Sequence, residues 1–465
     1  MADDRHLSDV EALMWALDAD PHLSSTFANV TLFDHPADLA RFRERMADAL
    51  VAVPRLRRRV EEGLAGLGTP TWVDEPEVDL DRHVRQVTLD RPGTMRQLLD
   101  LAVEVAATPF DRTRPLWEFV LVEGLEDGRG AMVQKLHHTI TDGVGGIRMS
   151  EQFIDVERDP GPRPVPSPPP EADPPPPGPD SPVEGLTDAL AELTRTPREL
   201  VRQAVEGTAG LVGDPARLTE LPGDAAATVR SLVRQLGVTG SALSPLWQER
   251  GLERRLELLK VPLDRAKAAS ASLGGSVNDL FVTGAAGGAG AYHRARGVEV
   301  DELRMAMPVS TRAKGGSRSP AGNAFAPTRV RVPTDADPRA RFAEVSARLA
   351  VTKEERAVGF AGAVAGLGTL LPGPVLTRLV RQQTATVDFT TSNVRGAPFP
   401  LYIAGARIEG NHPIGPLGGT AWNLTTISVD GSLDMGLHLD AGAVDDPVLL
   451  RTSLEASFAE LLALA

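Results

Sequence analysis

Between Pro160 and Pro182 thirteen of 23 residues are proline. Proline fixes φ and has no amide hydrogen, so this stretch suits neither a helix interior nor a sheet ladder. It reads as an extended linker that divides the chain. Beyond it, Val183 to about Gln235 carries leucines and valines at heptad-like spacing (Leu186, Leu190, Leu193, Leu200, Val201). That segment reads as a helical connector over the surface. Three parts follow: 1–156, 157–250 and 251–465. Both flanking parts mix strand and helix signals, an α+β pattern with a long insert.

In the first part, Leu7-Ser8-Asp9 marks a helix start running through Met14 and Leu17, and Ala37 to Val51 is amphipathic. Phe119-Val120-Leu121-Val122 and Ala131-Met132-Val133 flank the turn-like Glu126-Asp127-Gly128, which predicts a hairpin. In the last part, Arg255 to Val261 alternates as a strand, while Leu263 to Ala271 and Val277 to Tyr292 are helical. Met305 to Val309 and Arg329 to Val332 read as strands, and Leu424 to Val429 with Leu433 to Leu439 as a hairpin through Asp430-Gly431.

The formal charge of −14 argues against nucleic acid as a partner. With no cysteine, disulfides, thiolate catalysis and cysteine-based zinc sites are excluded. The acidic, polar start Met1 to Arg5 shows no secretory signal, so a cytoplasmic location is expected. Gly359 to Thr377 is uncharged for 19 residues, close to a bilayer span, but Pro372-Gly373-Pro374 breaks it and Gly and Ala dominate it. A buried helical hairpin or a lipid-touching face is expected there rather than a spanning helix.

Chemistry concentrates in His137-His138-Thr139-Ile140-Thr141-Asp142-Gly143, directly after the hairpin, in a chain with nine histidines. An imidazole takes a proton near neutral pH, as an alcohol attacking a carbonyl requires. His138 is the expected base; the alternative is a buried, hydrogen-bonded histidine pair. Asp142 either orients an imidazole as in a triad or pairs with an arginine and fixes the loop. Gly143 lets the backbone pass close to other groups. A metal held by His137, His138 and Asp142 is disfavoured because no further ligand cluster is visible.

The His-His-x-x-x-Asp-Gly motif resembles that of acyltransferases with the chloramphenicol acetyltransferase-like fold, including peptide-synthetase condensation domains. Arg114-Pro115-Leu116-Trp117-Glu118 is similar to the Pro-Leu-Trp block of the bacterial wax ester synthase/diacylglycerol acyltransferase family, and Val277-Asn278-Asp279-Leu280 to its Asn-Asp block. Met307 to Arg312 with Gly322-Asn323, Ser392-Asn393-Val394 with Gly396, and Trp422-Asn423-Leu424 with Gly431 to Asp440 resemble later blocks. Leu7-Ser8 and Pro54-Arg55-Leu56-Arg57 resemble the first ones. The similarity runs through nearly all the chain outside 157–250, and it is the order of these short blocks that makes it specific. Where the family has an Asn-Gly-Pro-like block, this chain has Thr239-Gly240-Ser241-Ala242, which puts acceptor selectivity in question.

The resemblance implies two acetyltransferase-like subdomains with an active-site tunnel between them. It implies transfer of an acyl group from acyl-coenzyme A to diacylglycerol or a long-chain alcohol, with no metal or other cofactor. His138 would be the general base, with His137 beside it and Asp142 structural, and Arg57 is the candidate partner of Asp142. Otherwise Arg57 belongs to a solvated basic face with Arg55, Arg58 and Arg59. Asn278 and Asp279 would face or support the tunnel, or else cap a helix. Pro115, Leu116 and Trp117 would line the tunnel or anchor a strand. Arg312, with Lys314 and Arg318, is a candidate contact for coenzyme A phosphates, the alternative being a plain surface loop; Ser392 and Asn393 are further substrate-side candidates. A lipid acceptor suggests peripheral contact with a membrane or lipid droplet. The alternatives are a condensation-type enzyme acting on carrier-bound substrates and a non-catalytic binding relative.

Overall fold

A computed structural model describes residues 5–62, 70–141, 143–161, 241–310, 325–354 and 373–465. The proline-rich linker beyond Gly161, the helical connector, Asp142 and the loop with Arg312, Lys314 and Arg318 lie outside the described residues, as does Gly359 to Pro372.

The strands in chain order are β1 (Thr26–Phe33), β2 (Arg58–Glu61), β3 (Thr71–Asp74), β4 (Val84–Thr88), β5 (Trp117–Glu123), β6 (Gly130–His137), β7 (Ile154–Asp155), β8 (Arg254–Pro262), β9 (Glu302–Ser310), β10 (Phe325–Pro333), β11 (Phe389–Arg395), β12 (Tyr402–Ile403), β13 (Ala406–Ile414), β14 (Trp422–Val429) and β15 (Ser432–Asp440). They form a seven-stranded sheet in the order β4-β5-β6-β1-β13-β12-β7 and a six-stranded sheet in the order β10-β9-β11-β14-β15-β8; β2 and β3 pair separately.

The expected hairpins are present. β5 pairs antiparallel with β6. β14 and β15 turn through Asp430 and Gly431, at φ of 40° and 81°, the left-handed pair that a tight hairpin requires. The first helix spans Asp9–Leu17: Ser8 accepts from the Glu11 amide while the Glu11 side chain accepts from the Ser8 amide, a closed capping box. The amphipathic segment forms the helix Leu39–Ala52, burying Phe42, Met46 and Ala49.

The division of the chain at residue 251 does not coincide with the division between the sheets. β12 and β13 belong by position to the last part, yet β13 pairs along β1 in the first sheet. The two sheets are thereby joined covalently and by contact: the Asn411 amide on β13 donates to Asp434 Oδ2 on β15 at 2.7 Å. Gly436 on β15 is needed there, since a Cβ would sit 2.2 Å from the Pro413 carbonyl oxygen.

Helices Val277–Ala295, Pro338–Glu354 and Pro447–Leu462 cover one face of the second sheet. Their core includes Phe281, Leu424, Met435, Leu437, Leu454 and Phe458. The helix Met95–Ala107 packs against β1, β6 and β8 and so lies between the halves. Arg96 there donates to the Leu256 carbonyl at 2.9 Å. Among the described residues no helix is long and apolar enough to cross a membrane.

Candidate active site

The histidine pair stands where β6 ends, in the interior of the first sheet with β5 on one side and β1 on the other. Each histidine amide is held by a different neighbour. His137 N–H donates to the Leu116 carbonyl at 3.0 Å, and His138 N–H to the Ser25 carbonyl at 3.1 Å. β6 ends at His137 and His138 opens the turn that follows, and the two rings meet different neighbours.

His137 is sealed, only 1% exposed. Its Nδ1 accepts from the Thr139 backbone amide at 3.2 Å, with the Thr139 hydroxyl 2.8 Å away. An amide can only donate, so the ring hydrogen resides on Nε2. Nε2 faces Asp18 Oδ1 at 3.5 Å, and Trp15 and Phe110 present ring edges at 6.4 and 6.5 Å. His138 is half-buried, its ring tilted over Phe27 at 4.6 Å. Of the pair it is the one that retains access to the outside.

Asp18 follows the first helix and gathers several donors. Its Oδ1 accepts from Ser24 Oγ at 2.8 Å and the Ser25 amide at 3.3 Å, and its Oδ2 from Arg112 Nη2 at 3.3 Å. Burial works to raise this carboxyl, but His137, Ser24 and Arg112 outweigh it and hold the group below the ordinary carboxylate value. Lys135, two residues before His137, is buried; its Nζ donates to the Thr108 carbonyl at 2.6 Å and lies 4.1 Å over the Phe110 ring. Burial pushes its ammonium down to about 8.

The Pro-Leu-Trp block anchors this arrangement. Leu116 and Trp117 are buried in the core of the first half. The Trp117 indole donates to the Leu56 carbonyl at 2.7 Å, and the His83 ring stacks on it at 4.3 Å. Pro115 lines a cavity of about 130 Å³ with Glu75, Glu77, Val78, Asp79, His83, Thr113 and Arg114, a lining that does not include His138. Arg57 closes a short 3-10 turn, Pro54–Arg57, and its carbonyl accepts from the Glu75 amide at 2.7 Å. Gly143 begins the helix Gly143–Ser150 that follows the motif.

In the second half Asp279 completes a capping box: its Oδ2 accepts from the Ser276 amide and hydroxyl, both at 2.8 Å, while Ser276 caps the helix. Ser276, not Asn278, is the N-cap. Asn278 Oδ1 accepts from Asn393 Nδ2 at 3.2 Å, so two blocks far apart in sequence meet there. Ser392, adjacent on β11, is half-buried, lies opposite Thr425 of β14 and alternates to the other face from Asn393. Trp422 stacks on Phe389 at 4.2 Å, and Asn423 Nδ2 donates to the Pro416 carbonyl at 2.9 Å. Among the described residues no group of three or more His, Asp or Glu is arranged to hold a metal ion.

Asp18, Phe27, Lys135 and His83 were not singled out by sequence reasoning. Lys135 stands two residues before the motif, but a lysine in a strand carries no signal of burial. Asp18 is one of many acidic residues, and only its docking onto β6 distinguishes it.

Residues 7–281 match the wax ester synthase/diacylglycerol acyltransferase catalytic domain, and residues 321–462 match the C-terminal domain of the same family. A putative diacylglycerol O-acyltransferase of Mycobacterium tuberculosis is 35% identical over 99% of this chain and 92% of its own length. A probable diacylglycerol O-acyltransferase of the same species is 27% identical over 99% and 96%. The wax ester synthase/diacylglycerol acyltransferase from Marinobacter aquaeolei VT8 superposes with a TM-score of 0.66 at 20% identity, covering 98% of each chain. The first condensation domain of the CDA synthetase gives 0.58 at 16%, covering 99% and 96%. The expected pair of condensation-type halves is therefore the fold observed. With both family domains matched in order along one chain, this protein belongs to the wax ester synthase/diacylglycerol acyltransferase family of acyltransferases.

Proposed function

We propose that the protein moves a fatty acyl group from acyl-coenzyme A to the hydroxyl of diacylglycerol or of a long-chain alcohol, with His138 as general base. The observation that carries this reading is the contrast within the pair: His137 is locked into the fold, while His138 sits half-buried at the strand end. A base must come within hydrogen-bond reach of the hydroxyl, and a ring sealed on all sides does not.

His138 takes the hydroxyl proton as the oxygen attacks the thioester carbonyl. A tetrahedral intermediate forms with its charge on the former carbonyl oxygen. The carbon–sulfur bond then breaks, coenzyme A leaves as thiolate, and the imidazolium returns the proton to sulfur. Names of relatives favour diacylglycerol as acceptor. An acceptor of that kind resides in a bilayer or droplet, so the enzyme would work at such a surface.

Purified protein incubated with palmitoyl-coenzyme A and either dioleoylglycerol or hexadecanol tests this. Triacylglycerol or wax ester, with stoichiometric release of free thiol, is the expected result. No ester from either acceptor would refute the proposal.

A further inference from the structure

We infer that Asp18 is a positioning residue for acyl transfer, its carboxylate holding the His137 ring and the start of β1 together and thereby fixing the place of His138. This rests on the acyl-transfer reading above.

Four chain segments converge on this carboxylate. Asp18 caps the helix Asp9–Leu17; Ser24 and Ser25 lead into β1; Arg112 lies ahead of β5; His137 ends β6. Each hydrogen bond here asks Asp18 to accept, from a hydroxyl, an amide and a guanidinium. The His137 Nε2 edge, which carries the ring hydrogen because Nδ1 accepts from the Thr139 amide, faces Oδ1 at 3.5 Å as a longer electrostatic contact. The group is then one link from His138 on two sides. Ser25, whose amide donates to Asp18, offers its own carbonyl to the His138 amide. Thr139, next after His138, is folded back on the His137 ring. So the residues before and after His138 are tied to one another and to Asp18. The charged groups facing Asp18 are Arg112 and Lys135, with Glu62 behind Arg112 at 3.5 Å, and the neutral His137 ring completes the surroundings.

A base displaced by about 1 Å can lose on the order of a hundredfold in rate. Asp18→Ala removes every acceptor. It is expected to lower kcat by roughly ten- to a hundredfold with KM for palmitoyl-coenzyme A within about twofold. Asp18→Asn keeps the Oδ1 contacts but turns an NH₂ toward Arg112, so a smaller kcat loss is expected. If Asp18 acts through His137, its removal on a His137→Gln background should have little further effect. A kcat within about twofold of the parent for Asp18→Ala, or full additivity with His137→Gln, would overturn the inference. Should Asp18→Ala not fold, Asp18→Asn carries the same comparison. Imidazole ¹⁵N spectra separate this from a failure of the acyl-transfer reading, because they need no turnover. The parent should show His137 protonated at Nε2, with His137 and His138 signals shifted in Asp18→Asn; unchanged signals for both would overturn the inference even in a protein that makes no ester.

Discussion

His138 and His137 are neighbours in sequence with opposite fates: His137 is the last residue of β6 and is sealed in, while His138 opens the turn after it and stays half-buried. His138→Ala is expected to lower turnover by about a hundredfold or more, the lower scale of general-base catalysis, with thermal stability little changed. Steady-state rates beside a melting curve check both parts. Trp117→Ala is a contrasting case: it empties a site 1% exposed and deletes the donor to the Leu56 carbonyl. A loss of about 3–5 kcal/mol in urea unfolding is expected. His438 gives a pH signature. Burial pushes its imidazole down to about 4 while its Nδ1 hydrogen bonds the Gly415 carbonyl. The unfolded chain binds this proton from about pH 6.5 downward and the folded chain only near 4. Folding stability should therefore fall as pH drops through that window. His438→Gln should flatten this part of a stability-against-pH curve; an unchanged slope would contradict the assignment. Of these residues His138 was legible in the sequence, since a scarce side chain stands in a local pattern. His438 and Asp18 were not, because their roles come from partners brought in by folding.

Among the elements, those with local causes match their sequence signals. The helix Asp9–Leu17 begins at a Ser-x-x-Glu box, and the β14–β15 hairpin turns on Asp-Gly. Helix Val277–Ala295 also begins locally, at Ser276-x-x-Asp279. Of the two residues read there as cap or tunnel residues, Asp279 is the third-position partner of the box, and the N-cap is Ser276. Ser276→Ala should cost about 1 kcal/mol in denaturant unfolding, because Ser276 and Asp279 satisfy each other's amides. A change within about 0.3 kcal/mol would mean that other contacts hold the helix start. β13 shows the limit of local reading. Its inward and outward residues alternate, as a strand's should, but nothing in that alternation says which sheet it joins.

At the scale of the molecule, the two sheets are one folding problem. β13 leaves the second half to pair with β1, and Gly436 meets Pro413 where the halves touch. Gly436→Ala would force backbone against backbone there, so a loss of about 1–3 kcal/mol is expected. Hydrogen exchange should show lowered protection on both β13 and β15. Protection lost on β15 alone would mean that the halves are not coupled at this point. The sequence by itself determined the mixed α+β class, the hairpin that presents the histidine pair and the order of the motifs, since each depends on residues close along the chain. Only the tertiary structure decided that His137 is sealed and His138 is not, that Asp18 stands behind them, and that residues 402–414 complete the first sheet. Those outcomes depend on contacts between segments tens to hundreds of residues apart. Their selection rests on packing and hydrogen-bond satisfaction summed over the whole fold, which no local pattern encodes.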